Sequence, residues 1–219
     1  MNIASYIDHT ILKPTTTTDD VRKLCEVALQ YQFAAVCVPP YFVAYAQKQL
    51  QHSAVKVATV IGFPFGYSST SAKLEEIKDA LADGADELDM VINIAALKSG
   101  NWEKLSAEVQ QCAALIHASN KCMKLIVESG ELTDDELIAC CKIVAQHQVD
   151  FIKTSTGYSA TGATLHAVQL MRQHLPNTLI KASGGIRNFS SAQEMIAAGA
   201  NRIGCSASIA IVQEANATP

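Results

Sequence analysis

The sequence predicts an α/β fold, a single (β/α)8 TIM barrel formed by residues 1–219. Three observations carry this reading. Apolar strand-like runs alternate with helix-like segments from one end of the chain to the other. No Gly-x-Gly-x-x-Gly follows the first clear strands, which disfavours the open doubly wound sheet that the same alternation would allow. A weak internal repeat places chemically different residues at matching points of separate units.

In chain order, the first unit is a strand over Tyr6–Ile11 and a helix over 19–31, with the Thr15–Thr18 run where a helix start belongs. Ala34–Val38 is continuously apolar, as a strand buried on both faces must be, and leads to a helix over 41–52. Val55–Ile61 follows, then Gly62-Phe63-Pro64-Phe65-Gly66-Tyr67, a rigid aromatic loop suited to wall a pocket mouth. A helix over 72–83 closes at Gly84. Glu87–Ile92 precedes a helix over 102–118 that Asn101 can cap, and Met123–Glu128 precedes one over 134–147, opened by the capping box Thr133-Asp134-Asp135-Glu136. Asp150–Lys153 is followed by a helix over 163–174, with Pro176 beyond its last turn. Thr178–Lys181 leads to a helix over 191–198, opened by Ser191-Ala192-Gln193-Glu194 and closed by Gly199, and Asn201–Cys205 is the eighth strand.

Composition narrows the function classes. Hydrophobic residues make up 49% of the chain and charged ones 17%, so it can build a large core and is not disordered. A net charge of −4 supplies no field for nucleic acid or an anionic membrane. Val55–Phe65 is broken by Lys56, Gly62 and Pro64, no run reaches membrane-span length, and the first residues lack the pattern of a signal peptide. The seven cysteines contain no Cys-x-x-Cys and sit among apolar neighbours, which fits a reducing cytoplasm and neither disulfides nor zinc.

The repeat aligns Ala82–Asp89 with Ala197–Gly204, and Gln146–Lys153 has the same outline. Asp89, Lys153 and Gly204 then hold equivalent places, at similar depth and facing in a barrel. Barrel active sites lie at the C-terminal ends of strands, where Asp8, Cys37, Asp89, Glu128, Lys153 and Lys181 all fall. Position also sorts the lysines. Lys23, Lys48, Lys73, Lys78, Lys104 and Lys142 belong to helical segments and are expected in solvent. Lys56 and Lys124 stand at strand starts, on the stability face. Only Lys153 and Lys181 directly follow an apolar strand run. Two neighbouring ammonium groups disfavour each other's charge, and a lysine relieved of its proton attacks carbonyls. Structural ion pairing is the rival reading of that pair. Asp89 is either a counter-ion or a proton shuttle beside it. The turns Lys181–Arg187 and Arg202–Ser208 follow strands seven and eight, where barrels bind phosphate, so a phosphorylated small molecule is the expected ligand. Asp8 and Thr10 can contact a substrate hydroxyl. His9 is a pocket group or a satisfied core histidine, Cys37 reads as packing, and Glu128 as the partner of a lysine. No metal-ligand cluster or dinucleotide fingerprint is present, and no metal or cofactor is expected.

Four motifs in order, Asp8–Pro14, Glu87–Asn93, Phe151–Gly157 and Lys181–Arg187, resemble the deoxyribose-phosphate aldolase family in its shorter bacterial form, and the likeness covers nearly the whole chain. The resemblance implies a class I aldolase that reversibly cleaves 2-deoxy-D-ribose 5-phosphate to D-glyceraldehyde 3-phosphate and acetaldehyde, in deoxyribonucleoside catabolism. It implies Lys153 as the Schiff-base lysine, Lys181 as the lysine that lowers its pKa and moves protons, and Asp89 as the proton-relay carboxylate. It implies Gly184, Gly185, Gly204 and Ser206 at the phosphate, with Thr156 joining Asp8 and Thr10 on the substrate. The family is frequently dimeric, which leaves a homodimer open, although the sequence fixes no oligomeric state. Two departures, Tyr158 where some longer members carry lysine and Ala207 where many carry serine, bear on phosphate affinity. Two competing readings remain: a phosphosugar isomerase using Asp89 and Glu128 as acid and base, and a catalytically silent sugar-phosphate binder.

Overall fold

The computed structural model describes residues 2–217. Eight parallel strands close into a barrel in sequence order: β1 (Ile7–Thr10), β2 (Ala35–Val38), β3 (Lys56–Ile61), β4 (Glu87–Val91), β5 (Cys122–Ile126), β6 (Phe151–Lys153), β7 (Leu179–Ser183) and β8 (Arg202–Cys205). The outer ring holds α1 (Thr18–Tyr31), α2 (Val43–Leu50), α3 (Thr70–Ala82), α5 (Trp102–Ala118), α6 (Asp134–Gln146), α7 (Leu165–His174), α8 (Phe189–Ala197) and α9 (Ser208–Ala217), with a short extra helix, α4 (Ile94–Lys98).

Local chemistry sets most boundaries. Thr17 caps α1 in a reciprocal capping box with Asp20, and Thr133 does the same for α6 with Glu136, as its four-residue pattern predicts. Asn101 caps α5 through the Lys104 N–H. The expected Ser191–Glu194 box does not form. Asn188 caps α8 instead, accepting from Ser191 N at 2.9 Å, so the helix starts two residues earlier. Helices α4 and α9 were not predicted. Ile209, Ile211 and Val212 are β-branched and poor helix formers, yet α9 buries Ile211 and Val212. Tertiary packing overrides their propensity there.

Strand ends differ from expectation in ways that matter for the site. Strand β7 runs on to Ser183, so Lys181 sits at its middle, whereas β6 stops at Lys153. Strand β5 begins at Cys122 and ends at Ile126, which leaves Glu128 outside it and places Lys124 within it. The register gives the barrel interior its order, since alternate residues point inward. The pairs Asp89↔Lys124, Ile126↔Lys153, Lys153↔Lys181 and Asp8↔Gly204 stagger so that Cys37, Asp89, Lys153 and Gly204 of the even strands share a ring. One ring lower, the odd strands supply Asp8, Ala58, Lys124 and Lys181. The main apolar core lies outside, between strands and helices. Inside, a separate small cluster of Ala35, Cys37, Ala58 and Val60 fills the β2–β3 side.

Candidate active site

The other side of the interior is charged. Asp89, fully buried on β4, accepts from three lysines: Lys124 Nζ on Oδ1 at 2.8 Å, and Lys153 Nζ and Lys181 Nζ on Oδ2, both at 2.8 Å. Lys181 also donates to Asp8 Oδ2. Beneath them Arg202 bonds Asp8 at 2.6 Å and approaches Glu87 at 3.3 Å, and Lys124 pairs with Glu87 at 2.5 Å. Phe151 gives Arg202 an aromatic face, 5.4 Å from its ring centre.

Four cations thus face three carboxylates, all largely removed from water. Burying a charge without a partner is costly, so the least-compensated member holds its proton least firmly. The geometry selects Lys153. Burial pushes its pKa below the usual 10.5; Asp89 pulls it back up, and Lys181 adds a further push down. For Lys124 burial is outweighed by Asp89, Glu87 and Asp8, which hold its ammonium well above the usual value. Lys181 is likewise raised, because Asp8 and Asp89 overcome burial. Burial would raise the Asp89 carboxyl, yet the three lysines hold it well below the usual carboxylate range. Lys181 therefore adds to the lowering of the Lys153 pKa, with desolvation the larger cause.

Lys153, 3% exposed at the end of its strand, opens onto a cavity of about 600 Å³ at the C-terminal mouth of the barrel. Thr10, Thr156, Gly184, Gly185, Gly204 and Ser206 line the same cavity, so the expected binding residues converge with one exception. Asp8 is completely buried beneath it, tied to Lys181 and Arg202, and forms no part of the wall. Gly184 has φ +85, a conformation that glycine adopts without strain, and the Cβ of a larger residue would lie 3.0 Å from Gly162 Cα. This close approach packs the Gly184 turn against Gly162, and Gly184 and Gly185 bring no side chain to the cavity they line, which suits an anion site. Lys13, Lys23 and Arg187 bring cations to the rim, with Asp20 in the same lining and Lys23 paired with Asp19 at 2.7 Å. Tyr158 also lines the cavity; it packs edge-on to Phe63 and donates to Leu12 O at 2.9 Å.

Several expectations fail for identifiable reasons. Lys124 is inside the barrel and not on its stability face, since its side chain points inward to meet Asp89 and Glu87. Lys73 is fully buried and not solvated, bonded to Glu108 at 2.7 Å and Val91 O at 2.8 Å. Glu128 makes no ion pair with a lysine among the described residues, although the Lys153 charge acts on it, and it accepts from the Thr156 N–H and hydroxyl. Glu128 does not line the cavity and is engaged by Thr156, which leaves Asp89 without the partner that an acid–base pair acting on a sugar needs. His9 is both things expected of it: it lines the cavity and its Nδ1 meets Ser208 Oγ at 2.9 Å, with burial lowering its pKa to about 4. Cys37 lies in the Asp89–Lys153 ring, its thiol pushed up to about 11 by burial. Lys124, Glu87 and Arg202 are the members missed from sequence. The repeat held the signal, because two places before Asp89, Lys153 and Gly204 it aligns Glu87, Phe151 and Arg202. Among the described residues, no group of three or more His, Cys, Asp or Glu side chains is placed to hold a metal ion.

A lysine with a depressed pKa at the mouth of a (β/α)8 barrel, facing a cavity edged by glycines and cations, defines an enzyme site built around an amine. The family model for DeoC/LacD family aldolases matches residues 2–214, and the chain belongs to that family. It is 50% identical over 97% of its length, and of the relative's, to deoxyribose-phosphate aldolase of Caldicellulosiruptor saccharolyticus. It is 48% identical to the enzyme of that name from Thermococcus gammatolerans, over 98% of this chain and 97% of the other. Its structure superposes on the deoxyribose phosphate aldolase of Aeropyrum pernix, described as tetrameric, with a TM-score of 0.92 at 30% identity, covering 99% of this chain and 92% of that one.

Proposed function

We propose that the protein is a class I aldolase that reversibly cleaves 2-deoxy-D-ribose 5-phosphate to acetaldehyde and D-glyceraldehyde 3-phosphate, acting in deoxyribonucleoside catabolism. The observation that carries this reading is the cationic surplus that makes Lys153 the amine at the cavity. Neutral Lys153 Nζ adds to the C1 aldehyde, giving a carbinolamine that loses water to an iminium. Acetaldehyde takes two carbons and the phosphorylated product three, so the bond that breaks is C2–C3. Its electron pair moves into the iminium to leave an enamine, while the C3 hydroxyl loses its proton and becomes the carbonyl of the departing aldehyde. Protonation of the enamine at C2 and hydrolysis then free acetaldehyde and Lys153. Asp89 and Lys181, joined to Lys153 through short hydrogen bonds, supply and return protons through ordered water. Gly184, Gly185, Gly204 and Ser206, with the cationic rim, receive the phosphate.

Sodium borohydride added with acetaldehyde tests the assignment. An ethyl group mapped by mass spectrometry to Lys153 is expected, and label on another lysine would overturn it. Seven free cysteines fit a reducing cytoplasm. No described helix is long and apolar enough to cross a membrane. Self-association, with a homodimer as the starting expectation, is measured by light scattering.

A further inference from the structure

One buried carboxylate beside the cavity makes no ion pair within the cluster, although the Lys153 charge acts on it. Glu128 is 3% exposed and holds φ +55 and ψ 59, a left-handed conformation that residues other than glycine seldom keep unless something over-determines it. What it gains is a complete grip on one residue. The Thr156 backbone N–H donates to both Glu128 oxygens at 3.2 Å, and the Thr156 hydroxyl donates to Oε2.

The consequence falls on Thr156, which shares the cavity wall with Lys153. A threonine hydroxyl has one hydrogen to give and two lone pairs. Its hydrogen goes to Glu128, and one lone pair accepts the Tyr158 N–H at 3.0 Å. The remaining capacity of that oxygen is as an acceptor, and an acceptor recognises a donor such as a sugar hydroxyl. In the aldolase reaction the C3 hydroxyl is the donor that matters, because it must give up its proton as C2–C3 breaks. We propose that Glu128 is a positioning residue that fixes Thr156 Oγ1 as the hydrogen-bond acceptor for the substrate's C3 hydroxyl. This rests on the aldolase reading of Lys153 and adds a residue to it.

Holding the two loops together does not explain Glu128. Ser129 N already donates to Thr154 O at 2.8 Å, and Ser159 Oγ bonds Glu131, both between the same two loops. The test compares Glu128→Gln, Thr156→Val, their double variant and Ser159→Ala. An amide in place of the carboxylate offers Thr156 a donor as well as an acceptor, so the hydroxyl loses its fixed direction. Glu128→Gln is expected to lower kcat/KM for 2-deoxyribose 5-phosphate about thirtyfold, the scale of a small misplacement at a reacting centre. Borohydride trapping of acetaldehyde, which has no C3 hydroxyl, is expected to keep its wild-type rate. Thr156→Val should show the same split, and adding Glu128→Gln to it should cost less than about twofold more, since residues acting through one contact are not additive. Ser159→Ala should stay within about twofold of wild type. Wild-type turnover in Glu128→Gln, a loss that multiplies with that of Thr156→Val, or a parallel loss of trapping would each overturn the inference. If Glu128→Gln does not fold, Thr156→Val decides: it must lose turnover while trapping normally. A wild-type enzyme that forms no adduct overturns the aldolase reading itself.

Discussion

Two groups of buried lysines in this molecule have opposite character. Behind β4, on the helical side of the wall, Lys73 of α3 meets Glu108 of α5 and the Val91 carbonyl, one cation to one carboxylate, both almost fully buried. Inside the barrel, Lys124, Lys153, Lys181 and Arg202 share Asp8, Glu87 and Asp89, which leaves one positive charge too many. The first arrangement is closed, each charge being matched by a buried partner. The second has a member whose proton is held weakly, and that member opens onto the cavity. Burial alone does not make a reactive amine; burial with incomplete compensation does.

Breaking each group separates structure from chemistry. The largest effect is expected from Lys153→Met, which removes the nucleophile and should lower kcat/KM by about 10⁴-fold or more, as for other lost nucleophiles. Turnover coupled to glyceraldehyde 3-phosphate measures it, and substantial residual activity would favour a different reaction. Next, Glu108→Ala strands the buried Lys73 ammonium and should destabilise the fold by about 3–5 kcal/mol in urea unfolding. The paired change to Lys73→Met with Glu108→Leu should recover most of that loss, because an apolar pair needs no compensation.

A pH series sharpens the comparison further. Only the neutral amine forms the imine, so the trapping rate should rise with pH and level off below the ordinary lysine value of 10.5. Asp89 pulls the pKa of Lys153 up, so Asp89→Asn should move that limb to lower pH; Lys181 pushes it down, so Lys181→Met should move it to higher pH. Equal limbs in all three proteins would mean that burial acts alone. The smallest effect is expected at Gly184→Ala, where the backbone has φ +85 and a Cβ would crowd Gly162. Strain of about 1–2 kcal/mol should raise KM for the phosphorylated sugar about tenfold and spare unphosphorylated 2-deoxyribose.

The sequence by itself determined the alternation that makes a barrel, the strand-end position of Lys153, the place of Asp89 within a strand, and the glycine turns after strands seven and eight. These are local facts, set by apolar period, caps and turn residues along a continuous stretch. The repeat register even placed Asp89, Lys153 and Gly204 in one ring, because a fixed spacing within each unit survives closure. Only the tertiary structure decided which charges meet. Lys124 looked like a strand-start lysine and Lys73 like a surface one; both became buried because partners more than thirty residues away, Asp89 and Glu108, face them across strands and helices. Asp8 moved from substrate to support for the same reason, since Lys181 and Arg202 converge on it from the far end of the chain. A lysine's pKa depends on the net charge within a few ångströms in space, and that sum exists only once the barrel has closed.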